Sequence, residues 1–127
     1  MSKGTYPSHS NGQGRVNLSF ELLGGGAAAD LSLSTDAAQL VASATYSATG
    51  IFIVTMKDAW VSVVDASSGV DDTANDGAYA TLGDITNEGT TTPLTFKLRF
   101  RSAGGTLADP ALARRIGVSL VMKDTQS

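Results

Sequence analysis

From Leu94 to Arg101 the sequence alternates without a break. Leu94, Phe96, Leu98 and Phe100 take every second position, and Thr95, Lys97, Arg99 and Arg101 fill the positions between. A strand sends successive side chains to opposite faces, whereas a helix repeats about every 3.6 residues. This stretch can therefore bury one face only as a strand. The same period appears near both ends of the chain. Val16, Leu18, Phe20 and Leu22 alternate with Asn17, Ser19 and Glu21, and Ile116, Val118, Leu120 and Met122 alternate with Gly117, Ser119, Val121 and Lys123. Three one-sided strands so far apart must find partners across the whole chain.

Weaker signals fill the middle. Ile51–Met56 is nearly all apolar and β-branched, the pattern of a central strand. Trp60–Asp65 reads as a short strand that ends in a turn-rich loop, Ser67-Ser68-Gly69 and Asp71–Gly77. Ala78, Ala80 and Leu82 alternate with Tyr79 and Thr81. Residues Ala38–Tyr46 are alanine-rich enough for a helix, but the alternation of Leu40, Ala42, Ala44 and Tyr46 and the breaker Gly50 favour a strand. Asp109 before Pro110 suits either a single capped helical turn or an extended loop. Alanine, glycine, serine and threonine supply 59 of the 127 residues, a composition that fits short strands and tight turns. No repeat period and no strand–helix–strand rhythm is present. The expectation is an all-β fold: an antiparallel β-sandwich, jelly-roll-like, of seven or eight strands over residues 15–127, with residues 1–14 as a flexible N-terminal arm. Its core is expected to hold Val16, Leu18, Phe20, Ile53, Phe96, Leu98, Phe100, Ile116, Val118 and Leu120.

Little reactive chemistry is on offer. The chain has no cysteine and one histidine, His9, which lies in the polar arm. Thiolate metal sites, disulfides and cysteine nucleophiles are excluded, and a Ser–His–Asp triad would have to borrow its imidazole from that arm. The loop Asp71–Gly77 is acidic but lacks the closing glutamate and flanking helices of a calcium-binding hand, so an Asx-rich turn is the expectation. Gly12-Gln13-Gly14 and Gly24-Gly25-Gly26 do not sit between a strand and a helix, as a phosphate cradle requires. Tyr46, Tyr79 and Trp60 could line a sugar-binding groove only if three strands brought them into register, and Trp60 is expected in the core or an interface. No catalytic, cofactor-binding or metal-ligating residue is expected, and the chain is read as a non-enzyme. The N-terminal stretch lacks an apolar core for secretion, and the longest apolar run falls far short of the ~20 residues that span a bilayer.

The net charge of −3 conceals a separation of signs. From Asp30 to Glu88 nine acids accompany the single base Lys57, and from Lys97 to Lys123 six bases accompany the single acid Asp109. These segments carry −8 and +5. They can draw a second copy or a neighbour head to side, or neutralise each other within one fold. On Leu94–Arg101 the bases Lys97, Arg99 and Arg101 form a stripe on the face opposite the phenylalanines. That stripe has no interleaved aromatics of its own, which speaks for a solvated or partner-facing stripe over a nucleic-acid site.

Two segments together resemble the jelly-roll cement, or decoration, proteins of tailed bacteriophage capsids. One is Ala48-Thr49-Gly50-Ile51-Phe52-Ile53-Val54-Thr55-Met56-Lys57-Asp58-Ala59-Trp60: a small-Thr-Gly start, an apolar strand, a Lys-Asp pair and an aromatic. The other is Asp109-Pro110 followed by the closing strand Ile116–Asp124. The resemblance implies a virion structural protein, made in the host bacterial cytoplasm, that binds the capsid exterior and clamps neighbouring major-capsid subunits. It implies no cofactor, no membrane, no specific nucleic acid, and a homo-oligomer, a dimer before a trimer. The basic final third departs from that class. Candidate partner-binding residues are Lys97, Arg99 and Arg101 on the stripe, with Tyr6 and His9 from the arm. The alternative is a carbohydrate- or receptor-binding β-module of a phage tail tip or fibre.

Overall fold

The computed structural model describes residues 15–71 and 75–123. They form two antiparallel four-stranded sheets packed face to face. The strands are β1 (Arg15–Leu23), β2 (Ser32–Leu33), β3 (Val41–Ala48), β4 (Ile51–Met56), β5 (Ser62–Val70), β6 (Tyr79–Thr86), β7 (Thr95–Arg101) and β8 (Arg115–Lys123), with one short helix, α1 (Thr35–Leu40), before β3. The first sheet runs β2-β1-β8-β5 and the second β3-β4-β7-β6. This is the eight-stranded β-sandwich that the alternation calls for. Strands β1 and β8 pair along their full lengths, from Arg15 opposite Lys123 to Leu23 opposite Arg115.

Where alternation is strict, burial follows it. Along β1 and β8 the apolar positions Val16, Leu18, Phe20, Leu22, Ile116, Val118, Leu120 and Met122 are all buried. Phe96, Leu98 and Phe100 on β7 meet them from the other sheet, with Phe52, Val54 and Met56 of β4 beside them. Trp60 joins this core, 3% exposed.

Ile53 does not. It pairs with Thr45 and Lys97 and points outward, 37% exposed. An all-apolar run hides which of its two faces is the inner one, and here Phe52, Val54 and Met56 take the core. The expected strand Ala38–Tyr46 is also corrected. Its first residues belong to α1, where the Ser34 hydroxyl accepts a hydrogen bond from the Ala37 amide at 3.1 Å and caps the first turn. A register shift between Val41 and Ser43 then leaves Ala42 exposed and buries Val41 and Ala44. The turn-forming Ser67-Ser68-Gly69 lies inside β5 instead of a loop. Its backbone pairs with β8 at Ser119, Val118 and Gly117, and the Ser68 hydroxyl donates to the Ala80 carbonyl on β6 at 2.8 Å. Asp109-Pro110 caps no helix and sits in an extended loop.

That loop carries a structural node. The Asp109 carboxylate accepts hydrogen bonds from the Gly50 amide at 2.9 Å and the Ala28 amide at 3.0 Å, tying the β3–β4 turn and the β1–β2 loop to the β7–β8 connection. Gly50 has φ +71°, and a side chain there would lie 2.7 Å from both the Phe100 carbonyl oxygen and the Ala108 amide nitrogen. Only glycine fits a backbone so placed.

Candidate functional site: the outer face of the second sheet

Because Phe96, Leu98 and Phe100 fill the core, Lys97, Arg99 and Arg101 are turned outward on β7. The cross-strand registers set their neighbours. Lys97 lies between Ile53 and Gly83, Arg99 between Ile51 and Thr81, and Arg101 beside Tyr79. The face therefore mixes three cations with two isoleucines, threonines and a tyrosine that is 41% exposed. Tyr79 supplies the aromatic that the stripe lacks on its own strand. Its presence could be read from the sequence only through the register of β6 against β7.

A β-bulge in β6 shapes this surface. The register shifts between Gly83 and Thr86, and Asp84 within it adopts φ +51°. Aspartate tolerates that left-handed conformation better than most residues, and the bulge turns its carboxylate toward β7. Arg99 donates to Asp84 at 2.7 Å, and the Lys97 ammonium lies 3.7 Å away. The Arg99 guanidinium passes over Gly83, where an added Cβ would meet Arg99 Nη1 at 3.6 Å, an ordinary contact. The hydrogen bond from Arg99, then its charge, holds the Asp84 carboxyl below the usual carboxylate range. Arg101 donates to the Gly105 carbonyl at 3.0 Å. Arg99 and Arg101 are thus hydrogen-bonded within the chain, while Lys97 holds a longer, exposed ion pair to Asp84.

The separated charges meet in the same manner elsewhere. Arg114 reaches the Asp76 carboxylate through two bonds of 2.9 Å, with its guanidinium 5.9 Å from the centre of the Phe100 ring. The Arg114 hydrogen bonds hold the Asp76 carboxyl far below its ordinary value. Arg115 contacts Asp71 at 3.3 Å. Each of these pairs joins the acidic middle of the chain to its basic final third, as the intramolecular reading of the charge separation expects. In the acidic loop Asp71 and Asp76 thus face guanidinium groups; Asp72 lies outside the described residues. Among the described residues no group of three or more histidine, cysteine or acidic side chains could hold a metal ion.

The aromatic groove does not assemble. Tyr46 packs its ring against Phe52 at 5.8 Å on the inner side of its sheet, Tyr79 lies on the outer side, and Trp60 is buried. The arm 1–14, with Tyr6 and His9, lies outside the described residues. Comparison with known proteins returned no matching family model, no matching curated protein and no matching solved structure.

Proposed function

We propose that this chain is a virion structural protein, a non-catalytic cement module that binds the exterior of a tailed-phage capsid and clamps neighbouring major-capsid subunits. The observation that carries the reading is the outer face of the β3-β4-β7-β6 sheet, where Ile53 and Tyr79 stand exposed beside Lys97, Arg99 and Arg101. Arginine, tyrosine and aliphatic side chains side by side on a sheet face are the materials of protein–protein contacts. The internal bonds of Arg99 and Arg101 reduce the side-chain entropy that docking would otherwise cost. The likeness of Ala48–Trp60, and of Asp109-Pro110 followed by Ile116–Asp124, to cement proteins suggests the partner, an assembled shell. Repetition over such a lattice lets a modest individual contact suffice.

The test is reconstitution. Purified protein mixed with capsids that lack it should add ordered density at fixed stoichiometry, with the basic sheet face turned toward the shell. Capsids that stay bare at micromolar protein would overturn the proposal.

A further inference from the structure

The outer strands of a sheet carry edges on which another chain can pair, and proteins blunt such edges with charge, proline, bulges, short strands or a covering segment. Three of the four edge strands here carry a device of their own. Strand β2 is two residues long, and β6 holds Asp84 on its bulge. Strand β5 carries Asp65 and lies beside β6, where Ser68 donates to Ala80. Strand β3 is different. Its residues read Val-Ala-Ser-Ala-Thr-Tyr-Ser-Ala, with neither a charge nor a proline. Register shifts bend both of its ends, yet between them Ser43–Tyr46 pair with β4 without a break.

That middle stretch is covered by a strap from the β1–β2 loop. The Asp30 carboxylate accepts a hydrogen bond from the Tyr46 amide at 2.8 Å, and the Leu31 amide donates to the Ala44 carbonyl at 3.1 Å. Residues of a strand turn their backbone groups alternately to one side and the other, and Ala44 and Tyr46 turn theirs away from β4. The strap is held in turn by the buried Leu31 and by the bond from the Ala28 amide to Asp109. Its Asp30 bond lies exposed to solvent, where water competes for both partners.

The strap thus supplies β3 with one acceptor and one donor, spaced two residues apart along the edge. A second β3 supplies the same pair. With a twofold axis at Thr45, two such strands run antiparallel, and Ala44 of each lies opposite Tyr46 of the other. Each Tyr46 amide then donates to the opposing Ala44 carbonyl, which replaces Asp30 as acceptor and Leu31 as donor in both molecules at once. Thr45 falls opposite Thr45 and Ser43 opposite Ser47, so no like charges meet.

We propose that β3 is a guarded pairing edge for a second copy of this chain, and that the Asp30-Leu31 strap is the autoinhibitory contact that keeps it closed. Displacing the strap joins two molecules through one continuous eight-stranded sheet by an isologous contact. The choice of a second copy follows from the hydrogen-bonding groups themselves, and the edge is separate from the sheet face considered above.

Asp30→Ala removes the acceptor, whereas Asp30→Asn keeps a side-chain oxygen for the Tyr46 amide. In sedimentation equilibrium Asp30→Ala should self-associate about tenfold more tightly than the wild type, the factor that one lost hydrogen bond to a charged acceptor represents. Asp30→Asn should stay near the wild type. Asp109→Ala, which frees the strap at Ala28, should act in the direction of Asp30→Ala and serves in its place if that variant fails to melt cooperatively. The chain has no cysteine, and Thr45 is exposed. Thr45→Cys in the Asp30→Ala background therefore sets two thiols across the twofold, at the roughly 4.5 Å Cα separation of a non-hydrogen-bonded pair, within disulfide reach. Mild oxidation should link these chains into dimers and leave chains with Ser119→Cys, exposed on the first sheet, single. Thr45→Lys should return Asp30→Ala to a monomer, because it sets two ammonium groups face to face. Asp30→Ala and Asp109→Ala as monomeric as the wild type, or dimers that link through Ser119→Cys and not through Thr45→Cys, would overturn the guarded edge.

Discussion

The two sheets present the same kind of face to the core and different faces to the outside. On β1, β8 and β5 two outward rows are short and mostly polar, Ser19, Ser119 and Ser67 in one and Glu21, Gly117 and Gly69 in the next, with Val121 in the row beyond. They leave a shallow open depression of about 210 Å³ between them. On the second sheet the corresponding rows carry Ile53 beside Lys97 and Ile51 beside Arg99, with Thr45, Thr81 and Thr95 around them. Folding demands only the inner half of each alternation, so the outer half is where a binding surface can differ without cost to the core. This contrast is why the proposed contact is placed on the second sheet.

The largest effects should ignore this contrast. Phe96→Ala on one sheet and Leu120→Ala on the other remove fully packed core groups and should cost about 3–5 and 2–5 kcal/mol in urea unfolding. A loss below about 1 kcal/mol for either would mean that its sheet is not packed as described. Next comes the node that ties the loops together. Asp109→Ala orphans the amides of Gly50 and Ala28 and should cost about 2 kcal/mol, with faster amide exchange at both positions as the local sign.

Binding should then separate the two faces. Arg99→Gln with Arg101→Gln should lower capsid affinity roughly tenfold, since exposed charges contribute about 0–1 kcal/mol each. Arg15→Gln with Lys123→Gln, on the first sheet, should leave it unchanged. Glutamine is preferred to glutamate because a new carboxylate beside Asp84 would add repulsion of its own. Raising salt to ~0.5 M, where the Debye length is about 4 Å, should weaken wild-type binding and erase most of the difference. Equal losses from both pairs of substitutions would break the comparison.

The smallest effect concerns acid. The Asp76 carboxyl titrates below its ordinary 3.8 in the folded chain. Its pairing with Arg114 therefore contributes fully above that ordinary value and is lost as the pH falls toward the depressed one. The melting-temperature gap between wild type and Asp76→Asn should stay constant from neutral pH to about 5 and narrow below 3.8. A gap unchanged at pH 2 would show that the pair's charge contributes nothing.

How much of this could be read from the chain alone depends on how far each feature depends on sequence neighbours. Strands β1, β7 and β8 announce themselves because each residue's burial repeats with its own local period. At Ile51–Met56 the period is present but invisible, since isoleucine on the outer face looks like valine on the inner one. The helix α1 did leave a signal, the Ser34 cap three residues before Ala37, which the alternation further on obscured. Two features have no local signature. Asp84 meets Lys97 and Arg99 only because a bulge shifts β6 against β7, and Asp109 meets Gly50 only because β4 pairs with β7 and the chain turns back beside Phe100. The sequence shows the cations of the stripe; their restraint by Asp84 and Gly105 comes from pairing across strands.

The pairing of β1 with β8 has a consequence in time. Arg15 is opposite Lys123, so β1 leaves a ribosome about a hundred residues before its long partner β8 exists. Contacts that far apart in sequence close slowly, and at about 5–20 residues per second of synthesis β1 stays without its long partner for several seconds. During that interval Val16, Leu18, Phe20 and Leu22 have no completed sheet to cover them, and β5 has no strand to lie against. Since β8 sits between β1 and β5, its arrival completes the sheet from the middle outward. Every strand of the second sheet, β3-β4-β7-β6, precedes β8 in the chain, so the first sheet is the one that closes last, and a chain cut short before Arg115 would lose its centre.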